Sequence, residues 1–114
     1  MQIEDVETVL FELIAQVGTA RSLYIEAIRV ARAGNITEAE QKLAEAGQAF
    51  TEGHRIHGDL IQWVASGEHE PIFRDDGRIM LLTHAEDQLM SAETFSILAE
   101  EFVEMHRSAD KENR

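Results

Sequence analysis

The chain contains no cysteine. A disulfide framework and a thiolate metal site are therefore excluded, and any covalent chemistry must use another nucleophile. Positive charge is scarce as well: 10 lysines and arginines stand against 22 aspartates and glutamates, a formal charge of -12. That balance opposes binding to phosphate backbones and to anionic membrane surfaces, so nucleic acid is not expected as a partner. No stretch approaches the roughly 18 uninterrupted apolar residues of a membrane span. The opening Met1-Gln2-Ile3-Glu4-Asp5 lacks the basic start and apolar run of a signal peptide, so a soluble cytoplasmic protein is expected. At 114 residues the chain has room for one modest core, and residues 1–114 are expected to form a single domain.

What is present is helical periodicity. Apolar residues recur at that spacing from Val6 through Val9, Leu10, Leu13, Ile14, Val17, Tyr24, Ala27, Ile28 and Ala31, and Ala33-Gly34-Asn35 then interrupts them. Thr37-Glu38-Ala39-Glu40 has the capping-box form, which places the start of a second helix at Thr37. Its core stripe would run through Leu43, Ala46, Phe50, Ile56, Leu60, Ile61 and Val64 and end near Ser66-Gly67. The segment from Gly67 to Gly77 holds the only proline, Pro71, and Asp75-Asp76 before a glycine, which reads as a returning loop. A third helix follows to about His106, and the polar residues 107–114 are expected to fray. Helices over about 4–33, 37–66 and 78–106, without β-type alternation or repeats, predict an all-α antiparallel three-helix bundle. Gly18, Gly47, Gly53 and Gly58 fall inside the first two patterns and are expected to mark close approaches between helices.

Chemistry concentrates in Leu81-Leu82-Thr83-His84-Ala85-Glu86-Asp87-Gln88-Leu89-Met90. His84 and Asp87 stand three residues apart and share one side of the third helix. An imidazole can act as a nucleophile or proton carrier, and a carboxylate on an apolar face needs a partner or a cation. With Asp87 at zero on the helical wheel, Met80, Ser91, Thr94, Leu98 and Met105 fall within roughly 40° of it. His84 lies about 60° to one side, near Phe95 and Phe102, while Glu86, Glu93, Glu100 and Glu104 gather on a narrow opposite strip. Apolar or small residues cover most of the circumference, more than one face of an isolated bundle needs, so another subunit is expected to bury part of it. Copies of Asp87 converging on a symmetry axis would demand a cation or shared protons, and an oxygen-ligated divalent metal would satisfy them. Alternatives stay open at this point. Asp87 could face solvent or bond the hydroxyl of Ser91 or Thr94, and His84 could be a core or surface histidine without a role. His54 and His57 have a spacing that could ligate a metal, yet without a third ligand such a pair is usually structural. His69 and His106 have no partner visible in sequence.

The segment His84-Ala85-Glu86-Asp87-Gln88-Leu89-Met90-Ser91 resembles the histidine-x-x-aspartate-histidine-leucine-methionine motif of the lactose/cellobiose-type enzyme IIA components of the bacterial sugar phosphotransferase system. Phe11-Glu12-Leu13-Ile14-Ala15 with Gly18 and Ala20-Arg21-Ser22, and Glu45-Ala46-Gly47 followed by His54, resemble the family's first two helices, so nearly the whole chain is covered. Gln88 departs from the pattern, standing where many members carry a second histidine, and His57 replaces a common glutamine. The resemblance implies a homotrimer of three-helix bundles and a divalent cation, usually magnesium, held by Asp87 near the threefold axis in a structural role. It also implies that His84 takes a phosphoryl group from phospho-HPr and passes it to a cysteine of the sugar-specific IIB component, serving uptake of a lactose-, cellobiose- or chitobiose-type sugar. The chemistry suits these residues, because a neutral imidazole is a competent nucleophile and transfer between proteins requires alignment rather than a nucleotide loop. A non-catalytic helical trimer acting as a regulatory interaction module is the alternative. A metal-dependent bundle enzyme would need more inward Glu-x-x-His arrangements than the chain contains.

Overall fold

A computed structural model describes residues 5–67 and 76–112, and among them every regular element is a helix. Helix α1 spans Val6–Arg32, α2 Ile36–Ser66 and α3 Asp76–Glu112. Hydrophobic residues of α1 meet the other two in three successive layers. In the first, Val6, Leu10, Leu13 and Val17 pack with Ile56 and Leu60 of α2 and with Ala85, Leu89 and Ala92 of α3. Next come Ala20 and Tyr24 with Ala46 and Ala99. Last are Ala27 and Ala31 with Ala39 and Val103. Numbers rise along α1 and α3 while they fall along α2, so the bundle runs up, down, up. Helix α1 packs extensively on both neighbours, whereas α2 and α3 touch each other least.

The turn between α1 and α2 follows from Gly34, whose φ of 94° lies in the left-handed region that glycine adopts without steric cost. Its N–H donates to the carbonyl of Ala31 and that of Asn35 donates to Val30, both at 2.9 Å, which is the Schellman closure of a helix C-terminus. Gly67, with φ 67°, ends α2 in the same left-handed conformation. The expected capping box does not form. Helix α2 begins at Ile36 after Asn35 as N-cap, with no side-chain cap bond. The Glu40 carboxylate, which would have reached back to the cap, instead accepts from Arg107 of α3.

That same contact corrects the expected end of α3. The helix continues past His106 to Glu112, because Arg107 is tied to Glu40 at 2.7–2.8 Å and to Glu104 one turn back. At the other end α3 takes in Asp76 and Gly77, which the sequence assigned to a loop; the rest of that loop, with Pro71 and His69, lies outside the described residues. Ile61, expected in the α2 core stripe, is 52% exposed, since its position faces away from α1. Of the four glycines read as close approaches, only Gly53 is one. A Cβ there would lie 2.8 Å from Val17 Cγ1, while Gly18, Gly47 and Gly58 have nothing within 4 Å.

Candidate functional site

Helix α3 carries two stripes. Its core stripe is Ala85, Leu89, Ala92, Ala99 and Val103, three of them alanines and all buried against α1 and α2. These positions lie about 120–160° from Asp87 on the wheel, so the Asp87 side of the helix necessarily turns outward. That outward side is not polar. Met80 is 74% exposed, Met105 62% and Ile97 60%, and Met90, Leu98 and Phe102 are exposed beside them. The carboxylate of Asp87 sits in the middle of this apolar stripe. The glutamate strip expected opposite Asp87 lies instead on a flank, because the opposite side is taken by the core.

His84 and Asp87 are brought together as the sequence predicts. Both are exposed, and together with Ile79, Met80 and Thr83 they line one shallow concavity of about 520 Å³. Neither makes a hydrogen bond or ion pair among the described residues. The hydroxyl of Thr94, one candidate partner for Asp87, donates instead to the carbonyl of Met90 at 3.2 Å. The arginines of α3 are engaged elsewhere, Arg78 with Glu7 of α1 at 3.5 Å and Arg107 with Glu40 and Glu104. The His84 imidazole is thus open to an approaching macromolecule, and a carboxylate with no basic side chain paired to it among the described residues stands one turn along the same face.

The candidate metal pair of α2 is not formed. The ring of His54 packs edge-on against Phe50, with centroids 5.3 Å apart. His57 turns the other way, and its Nε2 lies 2.8 Å from Glu86 Oε1 across the α2–α3 seam. Among the described residues no group of three histidines, aspartates or glutamates is gathered closely enough to hold a metal ion. A single carboxylate leaves most of a divalent ion's coordination to water, so Asp87 would hold a metal more firmly if copies of the chain brought several such carboxylates together. The His57–Glu86 pair had no signal in the sequence, because 29 positions separate its members and only the bundle joins them.

Residues 8–107 match the family described as PTS system, Lactose/Cellobiose specific IIA subunit. The chain belongs to this family. It is 34% identical over 103 residues to the lichenan-specific phosphotransferase enzyme IIA component of Bacillus subtilis (strain 168), covering 90% of this chain and 88% of that protein. It is 37% identical over 100 residues to the cellobiose-specific EIIA component of Lactococcus lactis subsp. lactis (strain IL1403), covering 88% and 81%. The fold agrees: the crystal structure of the PTS cellobiose-specific enzyme IIA from Bacillus anthracis superposes with a TM-score of 0.82 at 35% identity, over 97% of this chain and 94% of that one. Membership in a family of phosphotransferase components is consistent with a transferase role in sugar uptake. Among the described residues no helix is long and apolar enough to cross a membrane.

Proposed function

We propose that this IIA component is a phosphocarrier in which His84 accepts a phosphoryl group from phospho-HPr and hands it to a cysteine of its sugar-specific IIB partner. The observation that carries this reading is an exposed imidazole, free of hydrogen bonds among the described residues, at the rim of an open concavity on the family's motif helix. In the first step a neutral nitrogen of His84 attacks phosphorus as the donor's bond to phosphorus breaks. In the second, a cysteine sulfur attacks, the P–N bond breaks and the imidazole is restored. Neither step needs a nucleotide, since alignment of the reacting groups supplies most of the acceleration. The acidic surface, at a formal charge of -12, favours encounter with basic faces on both partners.

In the same reading the chain forms a homotrimer through the apolar stripe of α3. An exposed row of methionine, isoleucine, leucine and phenylalanine along a helix is the surface that association removes from water. Three copies of Asp87 would then meet near the axis, and a divalent cation, magnesium as the family resemblance implies, would neutralise them in a structural role. His84, about 60° around the helix, stays on the shoulder of that interface.

Incubation with phosphoenolpyruvate, enzyme I and HPr is expected to label the wild-type chain and leave His84→Ala unlabelled while it keeps its helicity. Equal labelling of the two would remove His84 from the role. An intact trimer that takes no label at all would favour a non-catalytic regulatory interaction module.

A further inference from the structure

The seam between α2 and α3 is the weakest of the three, and it opens beside the turn that carries His84. Leu60, Ile61, Val64, Ala65, Leu82 and Glu86 line a cleft of about 270 Å³ there, so apolar packing between the two helices is interrupted at that level. One hydrogen bond spans the gap's edge. The Nε2 of His57 donates to Glu86 Oε1 at 2.8 Å, with the His57 side chain only 14% exposed. Along the chain His57 follows Ile56 and precedes Leu60 by three residues, and Glu86 lies between Ala85 and Leu89, and those four apolar residues belong to the same core layer. A second polar tie between α2 and α3, Arg107 with Glu40, is at the far end of the bundle.

We infer that His57 is a positioning residue for phosphoryl transfer: by holding Glu86 it fixes the α3 turn that presents His84 and Asp87 on its other side. The inference rests on the phosphocarrier reading above. Glu86 lies roughly 160° around the helix from His84, so His57 touches neither the imidazole nor anything bound to it. Its influence passes through the rotation and height of a single helical turn. A helix turn is rigid, so a shift at Glu86 moves His84 with it, and a misplacement of about 1 Å at a reacting group can lower a rate by about 100-fold. The tie requires a donor at position 57 and an acceptor at position 86, and charge on the ring is not needed.

The test is the rate of labelling from phosphoenolpyruvate, enzyme I and HPr, measured against HPr concentration for wild type, His57→Leu, His57→Gln, Glu86→Leu and the double variant His57→Leu with Glu86→Leu. The expected result for His57→Leu is a fall in kcat of about 10- to 100-fold with KM for phospho-HPr changed little, since the docking surface stays intact. His57→Gln, which keeps an N–H donor, should recover most of the rate, and the double variant should be no slower than either single one. A loss confined to thermal stability, with wild-type kcat, would overturn the inference, as would a fall that His57→Gln does not rescue or two single effects that multiply. Should His57→Leu fail to fold, His57→Gln with and without Glu86→Leu carries the same comparison. A wild-type chain that takes no label sinks the phosphocarrier reading itself, whereas a labelled wild type with indifferent His57 variants sinks only this inference.

Discussion

Gly53→Ala should destabilise the bundle, while the same change at Gly47 or Gly58 should stabilise it. All three positions lie inside α2, where alanine improves helix propensity over glycine by about 1 kcal/mol. At Gly47 and Gly58 a new Cβ meets nothing within 4 Å, so that gain is realised nearly in full. At Gly53 the same Cβ would lie 2.8 Å from Val17 Cγ1, 3.7 Å from Gln16 Cβ and 3.8 Å from Leu13 Cδ1. Carbon atoms pack best at about 3.5–4.0 Å, which makes only the Val17 contact an overlap. Val17 cannot swing aside, because it is wholly buried and a β-branched residue in a helix has essentially one good rotamer. Overpacking of this kind costs about 1–3 kcal/mol, so the net effect at Gly53 is a loss of about 0–2 kcal/mol. Gly53→Ala and Gly58→Ala should therefore differ by about 1–3 kcal/mol in opposite directions, or about 4 °C in Tm for each kcal/mol. Urea unfolding followed by helical circular dichroism measures this, at one fixed protein concentration because association adds to apparent stability. A Gly53→Ala chain as stable as Gly58→Ala would refute the close approach of α1 and α2 at this point.

Other expectations follow from the same structure. Chelation should weaken assembly of the wild type, whereas Asp87→Leu should assemble with or without chelator, because apolar replacement of clustered buried charge is often neutral or stabilising; sedimentation velocity decides, and wild-type assembly indifferent to chelation, with no metal in elemental analysis, counts against a shared site. The Tyr24 phenol titrates above its ordinary range, first because it is buried and second because the Glu100 carboxylate is near. Its raised folded value means that this stabilisation is complete below about pH 10 and is lost as pH climbs through the folded pKa. Tyr24→Phe should unfold less readily than wild type above that pH, read by urea midpoints in a pH series. Arg107→Ala should cost no more than about 1 kcal/mol overall, since the pair with Glu40 is partly exposed. It should nevertheless speed amide hydrogen exchange in the last turns of α3, and unchanged exchange there would show that the helix end does not depend on this tie.

Helix number, order and the pairing of His84 with Asp87 were legible in the chain because all three are local. A period of 3.6 residues places apolar side chains on one face, and a spacing of three places two polar ones together, whatever the helix packs against. The expected excess of apolar surface on α3 was legible for the same reason. Errors arose where a residue had two possible partners. Thr37 and Glu40 make a good capping box by spacing, yet Arg107 of α3 offers Glu40 an ion pair that no local rule contains. Likewise four helical glycines look alike in sequence, and only the approach of Val17 distinguishes Gly53 from the rest.

By itself, then, the sequence determined the three helices, the apolar stripe of α3 with Asp87 at its centre, and the histidine beside it. Periodicity is a property of one helix and needs no neighbour. Only the tertiary structure decided that the stripe faces away from the core, that Glu40 serves α3 rather than its own helix start, and that His57 meets Glu86 across 29 positions. Those outcomes depend on the relative rotation and height of packed helices, which side-chain volumes set jointly and no single segment encodes.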